Sequence, residues 1–159
     1  MRVIVQRVKS ASVKTYDKNS EIKKGLLLYA GIEKNDNIDI VKFVVDKILN
    51  LRIFPNNEDK MDRSVLDING EILSISQFTL ASYIKKGRRP DFSNAKNPEE
   101  AEQLYRSFNN IMKEKIIVKE GVFGAMMEVK SINDGPVTFI IERSELLMEK
   151  KNGNWSKRS

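Results

Sequence analysis

Residues Glu71–Leu80 read Glu-Ile-Leu-Ser-Ile-Ser-Gln-Phe-Thr-Leu, and the interpretation of the fold starts from this stretch. In an extended chain, Ile72 would lie on one face and Leu73 on the other. A strand that is apolar on both faces is typical of the interior of a sheet, so we predict a central strand. Val65–Ile68 and then Asn69-Gly70 precede it, and Asn-Gly favours a two-residue turn. We therefore predict a hairpin whose second arm is Glu71–Leu80.

Two helices are predicted outside this stretch, each with a capping residue before it. Ile38–Asn50 has apolar residues at helical spacing and follows the N-cap candidates at 35–37. Asn97 followed by Pro98 predicts the start of a second amphipathic helix. The remaining predicted strands are Met1–Val8, Ala11–Tyr16, Gly25–Ile32, Arg52–Phe54, Ile116–Val118, Phe123–Val129 and Val137–Glu142, with a tight turn at Asn133–Pro136. Strands and helices mixed along one short chain predict a single α/β or α+β domain.

Length and composition agree with one globular domain. The chain has 159 residues, of which 40% are hydrophobic and 31% are charged. Its longest apolar run, Gly25–Ile32, is far shorter than a membrane span, so we expect no membrane partner. The first ten residues lack the apolar core of a signal peptide, and we therefore expect a cytoplasmic protein.

Two residue types are absent, and their absence excludes several kinds of chemistry. The sequence contains no Cys, which excludes disulfides, thiolate nucleophiles and zinc–thiolate sites. It also contains no His, which excludes the Ser-His-Asp triad and histidine acid–base catalysis. The spacing of the acidic residues indicates no metal site. Proton transfers in an enzyme of this composition must use other side chains, the backbone, water or the substrate.

The net charge of +6 permits a polyanionic partner without identifying one. Four cations lie within five residues, at Lys85, Lys86, Arg88 and Arg89. This loop could contact phosphates, or it could be an ordinary solvated surface loop. The sequence by itself leaves both interpretations open.

Three other segments could carry chemistry, although each has a simpler structural explanation. A hydroxyl and an amide at the end of a strand, as in 76–79, can hold a substrate while backbone N–H groups bind an oxyanion. An ordinary strand with satisfied hydroxyls is the simpler interpretation. Residues 121–127 could form either a core strand with a bulge or the floor of an apolar pocket. Residues 133–138 could be an ordinary turn or could contain a cis Gly-Pro bond.

Taken together and in this order, these segments resemble one family, the D-aminoacyl-tRNA deacylases. The resemblance extends from Met1 to about Glu142 and rests on the segments 1–8, 50–54, 76–80, 86–92, 121–127 and 133–138. The motifs Ser-Gln-Phe-Thr at 76–79 and Gly-Pro-Val-Thr at 135–138 match the two signatures of the family. The resemblance implies a domain at 1–144, and the basic segment 145–159 is then expected to be a mobile tail.

The resemblance also implies a homodimer of single mixed-sheet, barrel-like domains with two main helices. Such enzymes hydrolyse the ester that joins a D-amino acid, or glycine, to the terminal adenosine of tRNA. They need no cofactor, and their substrates are D-aminoacyl-tRNA and glycyl-tRNA. Gly135-Pro136 of one subunit, with a cis bond, is implied to enter the pocket of the other and to exclude L-amino acids.

Site residues follow from the same resemblance. The implied catalytic residues are Ser76, Gln77, Phe78 and Thr79. Arg7 is implied to hold the Gly135-Pro136 turn, and Phe123 and Met127 to line the pocket. Catalysis is implied to depend on the main chain and on a ribose hydroxyl of the substrate. A mechanism in which Thr79 is the nucleophile is the second interpretation, because no His is present to activate it.

Two other functions remain open at this stage. A non-catalytic RNA-binding module would keep the basic loop but would not need both signatures. A related deacylase with a trans Gly-Pro bond would admit small L-amino acids, and Arg7 argues against it.

Overall fold

The computed structural model describes residues 1–144, and the basic tail predicted at 145–159 lies outside them. Residues 1–144 form eight strands, two α-helices and one short 3-10 helix. These are β1 Arg2–Lys14, β2 Asn19–Ile22, β3 Gly25–Gly31, α1 Ile38–Asn50, β4 Phe54–Pro55, β5 Met61–Arg63, β6 Glu71–Ser76, the 3-10 helix Phe78–Ala81, α2 Pro98–Lys113, β7 Ile117–Glu120 and β8 Glu128–Glu142. The fold is therefore the predicted single domain, with a mixed sheet and two helices.

Six strands form one mixed, barrel-like sheet in the order β2-β1-β3-β6-β7, with β8 also paired to β1. The long strand β1 pairs antiparallel with β2, β3 and β8. Strands β3, β6 and β7 are parallel to one another. Parallel neighbours need crossover connections, and α1 and α2 lie in these two crossovers. Strands β4 and β5 form a separate two-stranded ribbon.

The prediction of a central strand apolar on both faces is confirmed for β6. Ile72 packs in the larger core, which includes the buried faces of both helices. Leu73 and Ile75 point to the opposite side of the sheet and join a second cluster with residues of β1 and β2. All three side chains are buried. The position of β6 between β3 and β7 places its carboxyl end, Ser76, in the middle of the domain.

The predicted hairpin before β6 is wrong, because β6 pairs only with parallel strands. Residues 65–69 instead form consecutive turns, in which Gly70 N–H donates to the carbonyl of Val65 (3.0 Å). Asn69 does adopt a positive φ of 50°, as the local signal suggests. The strand is also shorter than predicted, since it ends at Ser76 and the 3-10 helix follows.

Two predicted strand pairs differ in the structure. Met1–Val8 and Ala11–Tyr16 merge into β1. The strand predicted at 123–129 is mostly a loop, and β8 runs without a break through Asn133–Pro136. These four residues are therefore not a turn between strands. They lie in a bulge, because only Arg7 of β1 lies opposite residues 134–137 of β8.

Both predicted helix starts are confirmed by their caps. The side-chain oxygen of Asn37 accepts from Ile40 N–H (3.0 Å), and that of Asn97 accepts from Glu100 N–H (3.0 Å). Pro98 occupies the first turn of α2, where its missing N–H leaves no hydrogen bond unmade. No helix within 1–144 is long and apolar enough to cross a membrane.

Candidate active site

A mostly apolar cavity of about 720 Å³ opens at the carboxyl end of β6. Four separate segments line it: 30–32 at the carboxyl end of β3, 75–78 at the end of β6, 92–101 before and within the start of α2, and 123–129 up to the start of β8. Five of the predicted site residues meet here, namely Ser76, Gln77, Phe78, Phe123 and Met127. The structure therefore places three of the four residues of the first signature and both predicted pocket residues around one space.

The short 3-10 helix is held tightly against β3. Gln77 N–H donates to the carbonyl of Ala30 (2.8 Å), which extends the pairing of β6 with β3 by one residue. Gly31 allows this approach, since a Cβ there would lie 2.7 Å from Cβ of Leu80 and 3.0 Å from the carbonyl oxygen of Gln77. Arg2 donates to the carbonyl of Leu80 (2.9 Å) and holds the other end of the segment.

Backbone donors are available where this segment meets the cavity. The N–H groups of Phe78 and Thr79 have no acceptor within residues 1–144. Unpaired N–H groups at a fixed position are suited to binding an oxyanion, because they need no reorganisation when the charge develops. Phe78 lines the cavity and Thr79 does not, so the Phe78 N–H is the candidate donor of the site.

Thr79 is not placed as an activated nucleophile would be. Its side-chain oxygen accepts a hydrogen bond from the amide of Gln77 (2.6 Å). An amide donor stabilises the hydroxyl oxygen but cannot remove its proton. Thr79 is exposed and is not among the described residues that line the cavity.

A buried tyrosine supports the opposite wall of the cavity. Tyr105 O–H donates to the carbonyl of Ser74 (2.9 Å), which also accepts from Gly121 N–H (3.2 Å). The ring of Tyr105 lies 5.8 Å from that of Phe123. The carbonyl of Ser74 thus anchors both Gly121, at the start of the loop that lines the cavity, and Tyr105, which packs against that loop. Burial raises the pKa of the Tyr105 phenol above its ordinary value of 10.0, so the hydroxyl stays protonated as a donor.

The second signature forms a projection away from this cavity. Gly135 and Pro136 are exposed, and the peptide bond between them is cis. Neither residue is among the described residues lining the cavity of the same chain. Gly135 has a φ of +130°, which side-chain-bearing residues rarely adopt. The projection therefore needs glycine at this position.

Arg7 contacts the base of the projection. Its Nε donates to the carbonyl of Asp134 (3.1 Å) and lies 3.4 Å from the Asp134 carboxylate. Its Nη1 donates to the carbonyl of Ile53 (2.7 Å). Asn133 closes the bulge, since its side-chain oxygen accepts from Val137 N–H (3.1 Å). The guanidinium is largely buried, so these bonds are shielded from water.

Lys85, Lys86, Arg88 and Arg89 lie on an exposed loop. Tyr83 and Asp91 close this loop by exchanging two backbone hydrogen bonds of 2.8 and 2.9 Å. None of the four cations forms an ion pair with any residue of 1–144.

Little ionisable chemistry is present in the cavity itself. Lys96 is the one charged side chain among its described lining residues, and it donates to the carbonyl of Lys34 (2.9 Å). No cluster of acidic residues that could hold a metal ion exists in the described part of the chain. The arrangement therefore suits a reaction that depends on positioning and backbone donors.

Three contributors to the site were missed from the sequence, namely Gly31, Tyr105 and Lys96. Gly31 and Lys96 carry no local motif. Tyr105 falls on the apolar face of the predicted second helix, so it reads as an ordinary core residue. The Tyr105 hydroxyl on that apolar face was the signal available in the sequence, because a buried phenol needs a hydrogen-bond partner.

Comparisons with known proteins agree on one family. The family described as D-Tyr-tRNA(Tyr) deacylase matches residues 4–142. A D-aminoacyl-tRNA deacylase of Brevibacillus brevis is 53% identical over 89% of this chain and 99% of its own. One of Syntrophus aciditrophicus is 49% identical over 92% and 99%.

Solved structures give the same result for the fold. A protein titled c-Myc DNA Unwinding Element Binding Protein superposes with a TM-score of 0.86 at 40% identity, over 91% of this chain and 99% of that one. A probable eukaryotic D-amino acid tRNA deacylase superposes at 0.77 and 18% identity over 88% and 97%, which supports the fold alone. The protein is thus an enzyme, a hydrolase acting on aminoacyl-tRNA. The chain belongs to the D-aminoacyl-tRNA deacylase family.

Proposed function

We propose that this enzyme hydrolyses the ester between a D-amino acid, or glycine, and the terminal adenosine of tRNA, and that it rejects L-aminoacyl-tRNA. The observation that carries the proposal is the free N–H of Phe78 at an apolar cavity lined also by Ser76 and Gln77. A carbonyl oxygen placed there would receive a fixed donor as it becomes an oxyanion. Removing one such donor typically costs about a hundredfold or more in rate.

The proposed mechanism is assisted by the substrate. An aminoacyl ester is already activated, and the neighbouring ribose hydroxyl can assist the attack of water. The protein then has to hold the ester and stabilise the developing charge, which agrees with a site without His or Cys. Thr79 as nucleophile is the weaker mechanism, because its oxygen is bonded to the Gln77 amide and no base contacts it within residues 1–144.

Chiral selection is proposed to come from a second subunit. Gly135 and Pro136 project from β8 and do not reach the cavity of their own chain. A homodimer would bring this projection to the cavity of the partner. Strand β8 carries exposed apolar side chains that such a contact could cover, among them Ile132 and Ile140, which are 56% and 63% exposed.

A wall of main chain explains selection by configuration at the α-carbon. A flexible apolar pocket discriminates one methylene by only about 1–3 kcal/mol, so it cannot exclude every L side chain. Gly135, held by Arg7 and Asn133, forms a support that cannot yield easily. Glycine would pass such a wall because it has no side chain. The basic loop is proposed to contact tRNA phosphates. A cytoplasmic location is proposed with it, because aminoacyl-tRNA is the substrate.

The test of the shared site is complementation between two inactive variants. Gly135→Ala alters the projection and Phe123→Arg blocks the cavity, so each homodimer should lose hydrolysis of D-aminoacyl-tRNA. After unfolding and refolding as an equal mixture, half the dimers are mixed, and each has one intact site. About a quarter of the wild-type activity should return. No recovery, or an 18 kDa species alone in light scattering, would contradict the shared site.

The test of the chemistry is the Thr79→Ala variant. It should retain much of the wild-type rate on D-aminoacyl-tRNA and glycyl-tRNA, with L-aminoacyl-tRNA still rejected. Hydrolysis of small L-aminoacyl-tRNAs by the wild type would favour the related deacylase. Binding of tRNA without any hydrolysis would favour a binding module. Complete loss of activity in folded Thr79→Ala would restore the nucleophile mechanism.

A further inference from the structure

An aromatic pair lies at the mouth of the cavity and is only partly covered. The rings of Phe78 and Phe92 are 5.1 Å apart, with an angle of 47° between their planes. Their side chains are 61% and 41% exposed. Exposed phenylalanines are costly in water unless a partner covers them. A flat apolar surface of this kind suits the stacking of a planar ring.

The basic loop begins and ends beside this pair. The backbone pairing of Tyr83 with Asp91 closes the loop, so Phe92 follows it directly. Between Tyr83 and Asp91 the loop has four basic residues and no acidic residue. The Asp91 carboxylate accepts from Ser93 N–H (2.8 Å) and pairs with none of the four cations. The loop's charges are thus free to meet an external anion.

An aromatic surface continuous with unpaired cations matches one chemical class of ligand. Single-stranded nucleic acid offers planar bases for stacking and phosphates for ion pairing, and its binding tolerates any base sequence. The established substrate class, aminoacyl-tRNA, ends in such an unpaired strand. A protein partner would not need four cations in five residues.

On the basis of the proposed function, we propose that Phe92, Phe78 and the loop 85–89 bind the unpaired nucleotides that precede the esterified adenosine. A base stacks on Phe92, and the loop cations contact the adjoining phosphates. The cavity takes the aminoacyl group and its adenosine, whereas this surface takes the strand that leads to them. Recognition of the tRNA 3′ end is then independent of the amino acid.

The experiment compares a long and a short substrate. Phe92→Leu keeps an apolar side chain but removes the ring. Its KM for D-aminoacyl-tRNA should rise about five- to 140-fold, the range expected for a lost base stack of about 1–3 kcal/mol. D-aminoacyl-adenosine lacks the preceding nucleotides, so the fold-increase in its KM should be at least five times smaller than that for D-aminoacyl-tRNA. Phe92→Tyr should restore the wild-type KM, and Tyr16→Leu, an exposed aromatic remote from the cavity, should match the wild type on both substrates.

A binding measurement separates this proposal from the proposed function. Deacylated tRNA should bind the wild type more tightly than tRNA trimmed of its unpaired 3′ end, and Phe92→Leu should reduce the difference, because the base stack is one of the contacts that the trimmed tRNA lacks. This result would support the surface even if no hydrolysis were found. Lys85→Ala/Lys86→Ala should lower the slope of log affinity against log salt by about 0.7 for each phosphate that the variant no longer neutralises.

Three results would overturn the proposal. Equal KM increases on the two substrates would assign Phe92 to the adenosine. Equal binding of whole and trimmed tRNA would show that the surface does not contact the 3′ end. Binding of the wild type to vesicles of anionic lipid, abolished in both Phe92→Leu and Lys85→Ala/Lys86→Ala while tRNA binding is unchanged, would assign the surface to a membrane.

Discussion

Replacement of Gly135 by alanine should have two separable costs. The first is conformational, because a side chain at a φ of +130° costs about 1–3 kcal/mol. The second is crowding, because the new Cβ would lie 2.7 Å from Cγ2 of Val137 and 3.2 Å from Nη2 of Arg7. Val137 is 8% exposed and Arg7 is hydrogen-bonded, so neither moves freely. Overpacking of this kind costs about 1–3 kcal/mol.

The free energy of unfolding should therefore fall by about 2–6 kcal/mol in Gly135→Ala. Gly87→Ala is the matched control, since its φ is +78° and nothing lies within 4 Å of the added Cβ. It should lose only the conformational part, about 1–2 kcal/mol. Urea denaturation of both variants measures the difference, and deacylation by Gly135→Ala at a temperature where it is folded measures the effect on the site.

A double-mutant cycle tests the crowding directly. Val137→Ala removes the methyl that the new Cβ would meet. In the Gly135→Ala background it should cost less than in the wild type, because it also relieves the contact. Additive free energies, or an equal loss in Gly135→Ala and Gly87→Ala, would refute the claim that the bulge is sterically closed at Gly135.

Three further perturbations follow from the same geometry. Arg7→Lys keeps the charge but cannot donate hydrogen bonds to the carbonyls of both Ile53 and Asp134. It should lower the free energy of unfolding by about 1–3 kcal/mol. It should also raise the rate of hydrolysis of L-alanyl-tRNA relative to that of D-alanyl-tRNA. Tyr105→Phe should cost about 1–3 kcal/mol at neutral pH. Because the folded-state pKa of Tyr105 is raised, wild-type stability should fall as pH rises above about 10, and this variant should show a shallower fall in denaturation curves. Gly31→Ala should displace the 3-10 helix, so its activation free energy, from kcat, should change more than its free energy of unfolding, from denaturation. An unchanged kcat would mean that the position of the helix is not critical.

The sequence alone determined the two helices and their starts. Asn37 and Asn97 each cap a backbone N–H only three residues further along the chain, so the capping is local and the sequence predicts it. The sequence also predicts the burial of β6, because consecutive apolar residues leave neither face of the strand to solvent. The two signatures identified the family before any geometry was known, since both stand unbroken at 76–79 and 135–138.

Tertiary structure decided the pairing of strands and the assembly of the cavity. Asn69-Gly70 permits a chain reversal, but the hydrogen bonds that select a parallel partner for β6 come from residues 25–30 and 117–120. Gly135-Pro136 looked like a turn because the same residues serve turns and bulges, and only the pairing of β1 on both sides of Arg7 makes it a bulge. The cavity joins segments from 30 to 129. Contacts over such separations depend on packing between elements, which no local pattern encodes.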